Sequence, residues 1–302
     1  MPSGRQHCSV IWFLRILPYW LCAFLAGCNS LGIAPSLTGK PEKPGKEQAL
    51  ATPGKQSFRV SQFVFLADFP LDASSSLFRE LAELPEQIHK DLNLSPSNRP
   101  ILVYLFDSRD RYEQYMQAKY PNLPKRRAFF VAQPHAVGGS EELLVYTFWG
   151  AKIRGDLRHE LTHAVLHSVL KDVPLWLDEG LAEYYEVAPQ DGGLNQQHVE
   201  QLRGAGGEHF EPDLARLEQL GQVQQMSPAE YREAWAWVHL MLHDSSEARA
   251  VLTRYLQQLR TNSNPGPLMP KLVEVFPNLE TAFDRHLARL NGQPYPDLAS
   301  QR

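Results

Sequence analysis

Cysteine is nearly missing from this chain of 302 residues: Cys8, Cys22 and Cys28 are the three, and all fall within the first 28 residues. The rest of the chain therefore has no disulfide framework. A dominant charge is missing too. The formal balance is -4, and without residues 1–27, whose only charges are Arg5 and Arg15, it moves to about -6. Nothing in that balance favours nucleic acid as a partner. Long apolar runs are also scarce. The stretch Ile16-Leu17-Pro18-Tyr19-Trp20-Leu21-Cys22-Ala23-Phe24-Leu25-Ala26 is too short and too quickly interrupted for a stable membrane span. No internal repeat stands out, and no phosphate-binding loop is present. What remains is 43% hydrophobic and 21% charged, which suits one or two globular domains with an ordinary core.

The early apolar run follows Arg5 and Arg15 and ends in Leu25-Ala26-Gly27-Cys28. This ending resembles the lipobox of bacterial lipoproteins. The resemblance implies that residues 1–27 are a cleaved signal peptide and that Cys28 is lipidated, several acyl chains anchoring stably where one is marginal. An ordinary signal peptide is the alternative. Asn29 stands where inner-membrane retention in enterobacterial lipoproteins would need Asp, so the expected location is the cell envelope, on the periplasmic face of the outer membrane where two membranes exist. Residues 28–57 carry Pro35, Gly39, Pro41, Pro44, Gly45, Pro53 and Gly54 and read as a flexible tether.

Folding is expected to begin at Phe58. Phe58, Val60, Phe63 and Phe65 predict one strand, and Leu77, Leu81, Leu84, Ile88 and Leu92 recur at helical spacing. Residues 100–106 read as a buried strand. A helix with Tyr112, Tyr115 and Met116 follows, capped by Asp107 or Ser108, and then a strand at 128–131. After Gly138-Gly139 a further strand is expected over 142–148, immediately before a helix that Asp156 can cap and that runs to about Leu170. The fold class is α+β. A small α/β lobe over residues 58–190 precedes a mainly helical lobe over 191–302.

That helix carries Leu157-Arg158-His159-Glu160-Leu161-Thr162-His163. Residues four apart share a helix face, so His159 and His163 can aim two imidazole nitrogens at one point. Two neutral nitrogens and a carboxylate suit zinc, and three protein ligands leave a fourth position open for water. Glu160 projects beside that position, where it can take a proton from water whose pKa zinc lowers toward about 7. The next segment, Trp176-Leu177-Asp178-Glu179-Gly180-Leu181-Ala182, reads as the start of a second helix, and a short loop lets Glu179 fold back onto the histidines. His167 continues the histidine row but is read as a helix-end residue outside the ligand set.

Here the chain resembles the gluzincins, zinc peptidases whose third ligand is a glutamate on the next helix. It is similar to the membrane alanyl aminopeptidases in Trp-Leu-x-Glu-Gly-x-Ala, and closer to bacterial proteins with a peptidase MA-like domain. The resemblance implies His159, His163 and Glu179 as ligands of one zinc ion and Glu160 as general base. It also implies that Glu183 hydrogen-bonds a ligand histidine. The strand at 142–148 would border the cleft and pair with a substrate backbone. Ser227-Pro228-Ala229-Glu230 has capping-box residues. The helix it starts places Tyr231, Trp235 and His239 on one face, with Tyr231 and His239 as candidate oxyanion donors.

The expected activity is hydrolysis of peptide bonds in a peptide or protein substrate. The Gly-x-Met-Glu-Asn element that grips a free amine in the aminopeptidases is missing, so cleavage within chains is preferred. A catalytically silent envelope lipoprotein that binds peptide or a protein partner is the competing reading. A metal-dependent hydrolase of another carbonyl bond is a third. Oligomeric state is not readable from the sequence.

Overall fold

The computed structural model describes residues 51–134, 141–203 and 210–291. Cys28, the apolar run before it and Gly138-Gly139 lie outside the described residues. No helix among the described residues is long and apolar enough to cross a membrane.

Strand β1 (Gln56–Val60) pairs antiparallel with β2 (Phe63–Ala67), so the single strand expected over this stretch is a hairpin. Ser61 and Gln62 make the turn, and Ser61 adopts a left-handed φ of 53°. Helix α1 (Ser76–Asp91) leads to β3 (Ile101–Phe106), and α2 (Arg109–Lys119) follows it. Strands β4 (Ala128–Pro134) and β5 (Glu141–Phe148) complete a five-stranded sheet in the order β1-β2-β3-β5-β4. Strand β3 is parallel to both β2 and β5, while β4 is antiparallel to β5.

This order corrects one expectation. Strand β5 is hydrogen-bonded on both sides, to β3 and to β4, so its edges are not available to a substrate. Strand β4 ends the sheet instead. Side chains alternate along the strands, as the two-residue period requires. Val103, Leu105, Leu143 and Val145 enter the main core, and Leu144, Tyr146 and Phe148 meet Tyr112, Tyr115 and Met116 of α2. Burial on both faces explains why the inner strands read as continuous apolar runs.

Helix α3 (Ile153–Val169) and α4 (Leu175–Glu186) follow, then α5 (Gln196–Leu202), α6 (Leu214–Leu217), α7 (Pro228–His243), α8 (Ser246–Leu259), α9 (Met269–Val273) and α10 (Leu279–Leu290). Helix α7 has the expected capping box: Ser227 Oγ accepts from the Ala229 amide, and Glu230 accepts from the Ser227 amide at 2.7 Å. Asp156 does not cap α3. The helix starts earlier, with Lys152 at the cap, and the Asp156 carboxylate takes a forked ion pair from Arg127 at 2.7 and 3.1 Å.

One apolar core runs from Phe63 in β2 to Leu287 in α10, so the segments on either side of residue 190 share an interior. Helix α4 lies in the middle of it and is buried almost all round. A helix in that position must satisfy its polar side chains internally. Arg158, fully buried on α3, ties this arrangement together by donating from Nε to the carbonyls of Tyr185 at 2.8 Å and Val187 at 2.9 Å, where α4 ends. Those carbonyls have no partner within the helix, which is why a long cationic donor is stable there.

Candidate metal centre

His159 and His163 sit one turn apart on α3, their ring centroids 5.0 Å from each other. The chain reverses over residues 170–174, and the second turn of α4 delivers Glu179. Its Oε2 lies 3.4 Å from His159 Nε2 and 3.5 Å from His163 Nε2. The three donor atoms fall within 4.8 Å of one another. Glu179 Oε2 is buried and has no hydrogen-bond partner. Its charge is met there either by the two imidazoles when protonated or by a bound cation in their place. Two donors on a tetrahedral ion with bonds of about 2.0–2.1 Å stand roughly 3.4 Å apart. The donor set and its spacing therefore fit a divalent ion.

The far nitrogens of both rings meet carboxylates. His159 Nδ1 is 3.2 Å from Glu186 Oε2, in hydrogen-bond geometry. His163 Nδ1 lies 3.0 Å from Asp178 Oδ2, paired by charge but off the hydrogen-bond axis. The same Asp178 oxygen is hydrogen-bonded to His167 Nε2 at 3.1 Å. His167 lies in the last turn of α3, as expected, and is buried with Nε2 paired to that carboxylate. Phe130 of β4 stacks on His163 and His167 at 6.3 and 5.4 Å. Such partners hold the His159 and His163 rings with Nε2 turned toward Glu179.

Glu183, expected to hold a ligand histidine, pairs with His198 of α5 at 2.9 Å. Glu186 takes the expected role because α3 and α4 run antiparallel, which brings the C-terminal end of α4 level with His159. A seven-residue spacing also returns Glu186 to the face of Glu179.

Electrostatics follow from this crowding. Burial pulls the His163 pKa down, but Asp178 and Glu179 outweigh it and hold the ring at about 10. Burial likewise opposes the charged form of His159, and Glu179 and Glu186 raise it well above the ordinary value. Burial would raise Asp178 and Glu179; the imidazoles hold both well below the usual carboxylate range. Glu160 is pushed up by burial, against the pull of His159 and His163. A metal must displace the protons on the two rings, so metal and acid compete for this cluster.

Helix α7 closes one side. Tyr231 donates its hydroxyl proton to Glu179 Oε1 at 3.3 Å and accepts from Arg126 Nη2 at 2.8 Å. This approach depends on Gly180, since a Cβ there would stand 2.6 Å from the Ala234 carbonyl oxygen. Any side chain would push α7 off α4. His239 is not brought to the site. Eight residues beyond Tyr231, it lies about 12 Å further along the helix. It is buried there with Nδ1 2.9 Å from His286 Nε2.

Three site residues were not identified from the sequence. Glu186 was legible in principle, because it shares the helix face of Glu179, and Asp178 because it adjoins that ligand. Arg126 had no such signal: it is one of three consecutive basic residues ahead of β4.

A family model described as "Protein of unknown function (DUF1570)" matches residues 153–265. The matched stretch begins with α3 and continues beyond the end of α8, so it holds the histidines, Glu179 and Tyr231 but none of the sheet. No curated protein matches the chain.

Proposed function

We propose that this chain is a zinc-dependent peptidase of the gluzincin type, anchored in a bacterial envelope through lipidated Cys28. The observation that carries the reading is the convergence of His159 Nε2 and His163 Nε2 on the buried, otherwise unpartnered Glu179 Oε2. Zinc, held by those three side chains, would supply Lewis acidity toward a carbonyl and lower the pKa of water toward about 7.

The remaining work falls to residues of the chain. Glu160 takes a proton from water and returns it to the departing nitrogen, a role suited to a carboxylate that burial lifts above its ordinary pKa. Tyr231 stands ready to donate to the carbonyl oxygen as charge builds on it, by turning its hydroxyl away from Glu179 Oε1. Glu186 and Asp178 keep the imidazoles aimed. The outer edge of β4, which no described strand covers, can take an extended peptide by its main chain. Main-chain recognition suits cleavage within chains of varied sequence.

Metal analysis of the purified protein together with a peptide-library digest, with and without chelator, tests this reading. About one zinc per chain and chelator-sensitive cleavage are expected. A zinc-free protein that binds peptides without cutting them would favour the silent lipoprotein reading. The anchor is tested separately: Cys28→Ser is expected to move the protein from the membrane to the soluble fraction, and retention on the membrane would remove acylation as the sole attachment.

A further inference from the structure

Arg126 is a half-buried cation beside the proposed reaction centre, with most of its hydrogen-bonding capacity unused among the described residues. A guanidinium carries five N–H donors in a fixed fork. One goes to the Tyr231 hydroxyl at 2.8 Å, and no ion pair ties Arg126 to a carboxylate among the described residues. Its neighbour shows the contrast, because Arg127 spends its fork on Asp156. Glu179 and Glu160 lie close enough to favour the charge on Arg126, but neither accepts a hydrogen bond from it among the described residues.

Position along the sheet says what that fork would meet. Arg126 stands just ahead of Ala128, where the end strand β4 begins. The direction of β4 is set by its contacts: Arg127 at its start pairs with Asp156, before the histidines, and Phe130 further along packs on His163 and His167. Antiparallel pairing is the commoner arrangement by two- to threefold. A peptide added antiparallel to β4 runs toward its own C-terminus as it approaches Arg126. The guanidinium then lies on the side of the scissile bond that becomes the released C-terminal fragment.

We propose that Arg126 is the receptor for a substrate carboxylate on that side, so that the site selects peptides bearing a negative charge shortly after the bond to be cut. The charge has two possible sources, a free chain terminus or an Asp or Glu side chain, and a planar fork recognises either in the same way. This inference rests on the proposed peptidase reading for the placement of the substrate, but its test does not need turnover.

Binding is measured by titration calorimetry on the full chain kept metal-free with chelator. The probes are an N-acetylated tetra-alanine acid, its C-terminal amide, and an amide with Glu as the last residue. At least one charged peptide is expected to bind about tenfold or more tighter than the neutral amide, the scale of a charge-assisted pair. The tighter of the two identifies the source. Arg126→Gln should reduce the ratio to near one, and Arg126→Lys, a point charge without the fork, should keep part of it. Equal binding of all three peptides, no saturable binding, or a preference that survives in the glutamine variant would overturn the proposal. Circular dichroism confirms that each variant is folded. With zinc restored, failure to cleave any of the peptides would count against the peptidase reading alone, since the charge preference is read without it.

Discussion

Two groups of histidines flank the contact between helices α4 and α7, one near each end. Near Gly180, His159 and His163 of α3 face Glu179, with Asp178 and Glu186 behind them. Near Tyr184, His239 and His243 of α7 stack at 4.3 Å, and His239 is hydrogen-bonded to His286 of α10. In the first group carboxylates outweigh burial and raise the imidazole pKa values. In the second, burial takes His239 down to about 2 and His286 to about 3. The acid nearest that second group, Asp244, lies 4.0 Å from His286 Nδ1 and is engaged by Arg289 at 2.8 Å. Ring nitrogens there are spent on one another and on the Tyr184 hydroxyl, 2.7 Å from His243 Nε2. Clustered imidazoles therefore make a candidate ligand set only where a carboxylate joins them and the nitrogens facing it are not spent on each other. Otherwise they are core.

The largest test of this contrast is Glu160→Gln. It is expected to keep zinc and to lose about 10²–10⁴-fold in peptide turnover, whereas His243→Gln should leave turnover unchanged. Equal activity in the Glu160 variant would remove that carboxylate from the chemistry. Next, Glu179→Ala should weaken zinc binding, measured by competition with a chromophoric chelator, by more than the roughly 10–100-fold that outer partners cost. Unchanged affinity would place the third ligand elsewhere. Within the outer partners the structure separates neighbours on one helix: Asp178→Ala and Glu186→Ala should each cost about 10–100-fold in zinc affinity. Glu183→Ala, whose hydrogen bond goes to His198, should cost less than either. A reversal of that order would return Glu183 to the role expected from the sequence.

The second cluster has its own signature in stability. His239 and His286 have folded-state pKa values depressed below the ordinary 6.5, so the unfolded chain binds more protons than the folded one between those limits. Stability is fully present above pH 6.5 and falls as acid is added from 6.5 down toward 3. The slope is at most about 1.4 kcal/mol per pH unit for each ring. Urea midpoints across this range check it in metal-free protein, and His286→Gln should flatten the profile. A flat wild-type profile would mean that the rings are not buried neutral.

Much of the site is legible because it is local. The positions of His159, Glu160 and His163 on α3, and of Glu179 at the start of the next helix, follow from helical periodicity and a short reversal. The heptad-like recurrence of Leu77, Leu81, Leu84 and Ile88 likewise identifies α1 and its buried face. The hairpin at Ser61 was less legible, since both of its arms carry alternating apolar residues and only a left-handed serine divides them. The sheet edge was not legible at all. Apolar runs mark β3, β4 and β5 alike, but strand order depends on which elements cover which face.

By itself the sequence determined the α+β class, the histidine pair and the glutamate that meets it, because helix geometry sets side-chain directions from spacing alone. Tertiary structure decided the rest. It set Tyr231 rather than His239 against Glu179, gave His159 a hydrogen bond to Glu186 rather than Glu183, put β4 rather than β5 at the end of the sheet, and brought Arg126 to Tyr231 from a loop elsewhere in the chain. Each of those choices depends on how separate elements pack, as with the α4–α7 contact that Gly180 permits, and packing is a property of the assembled core that no local period records.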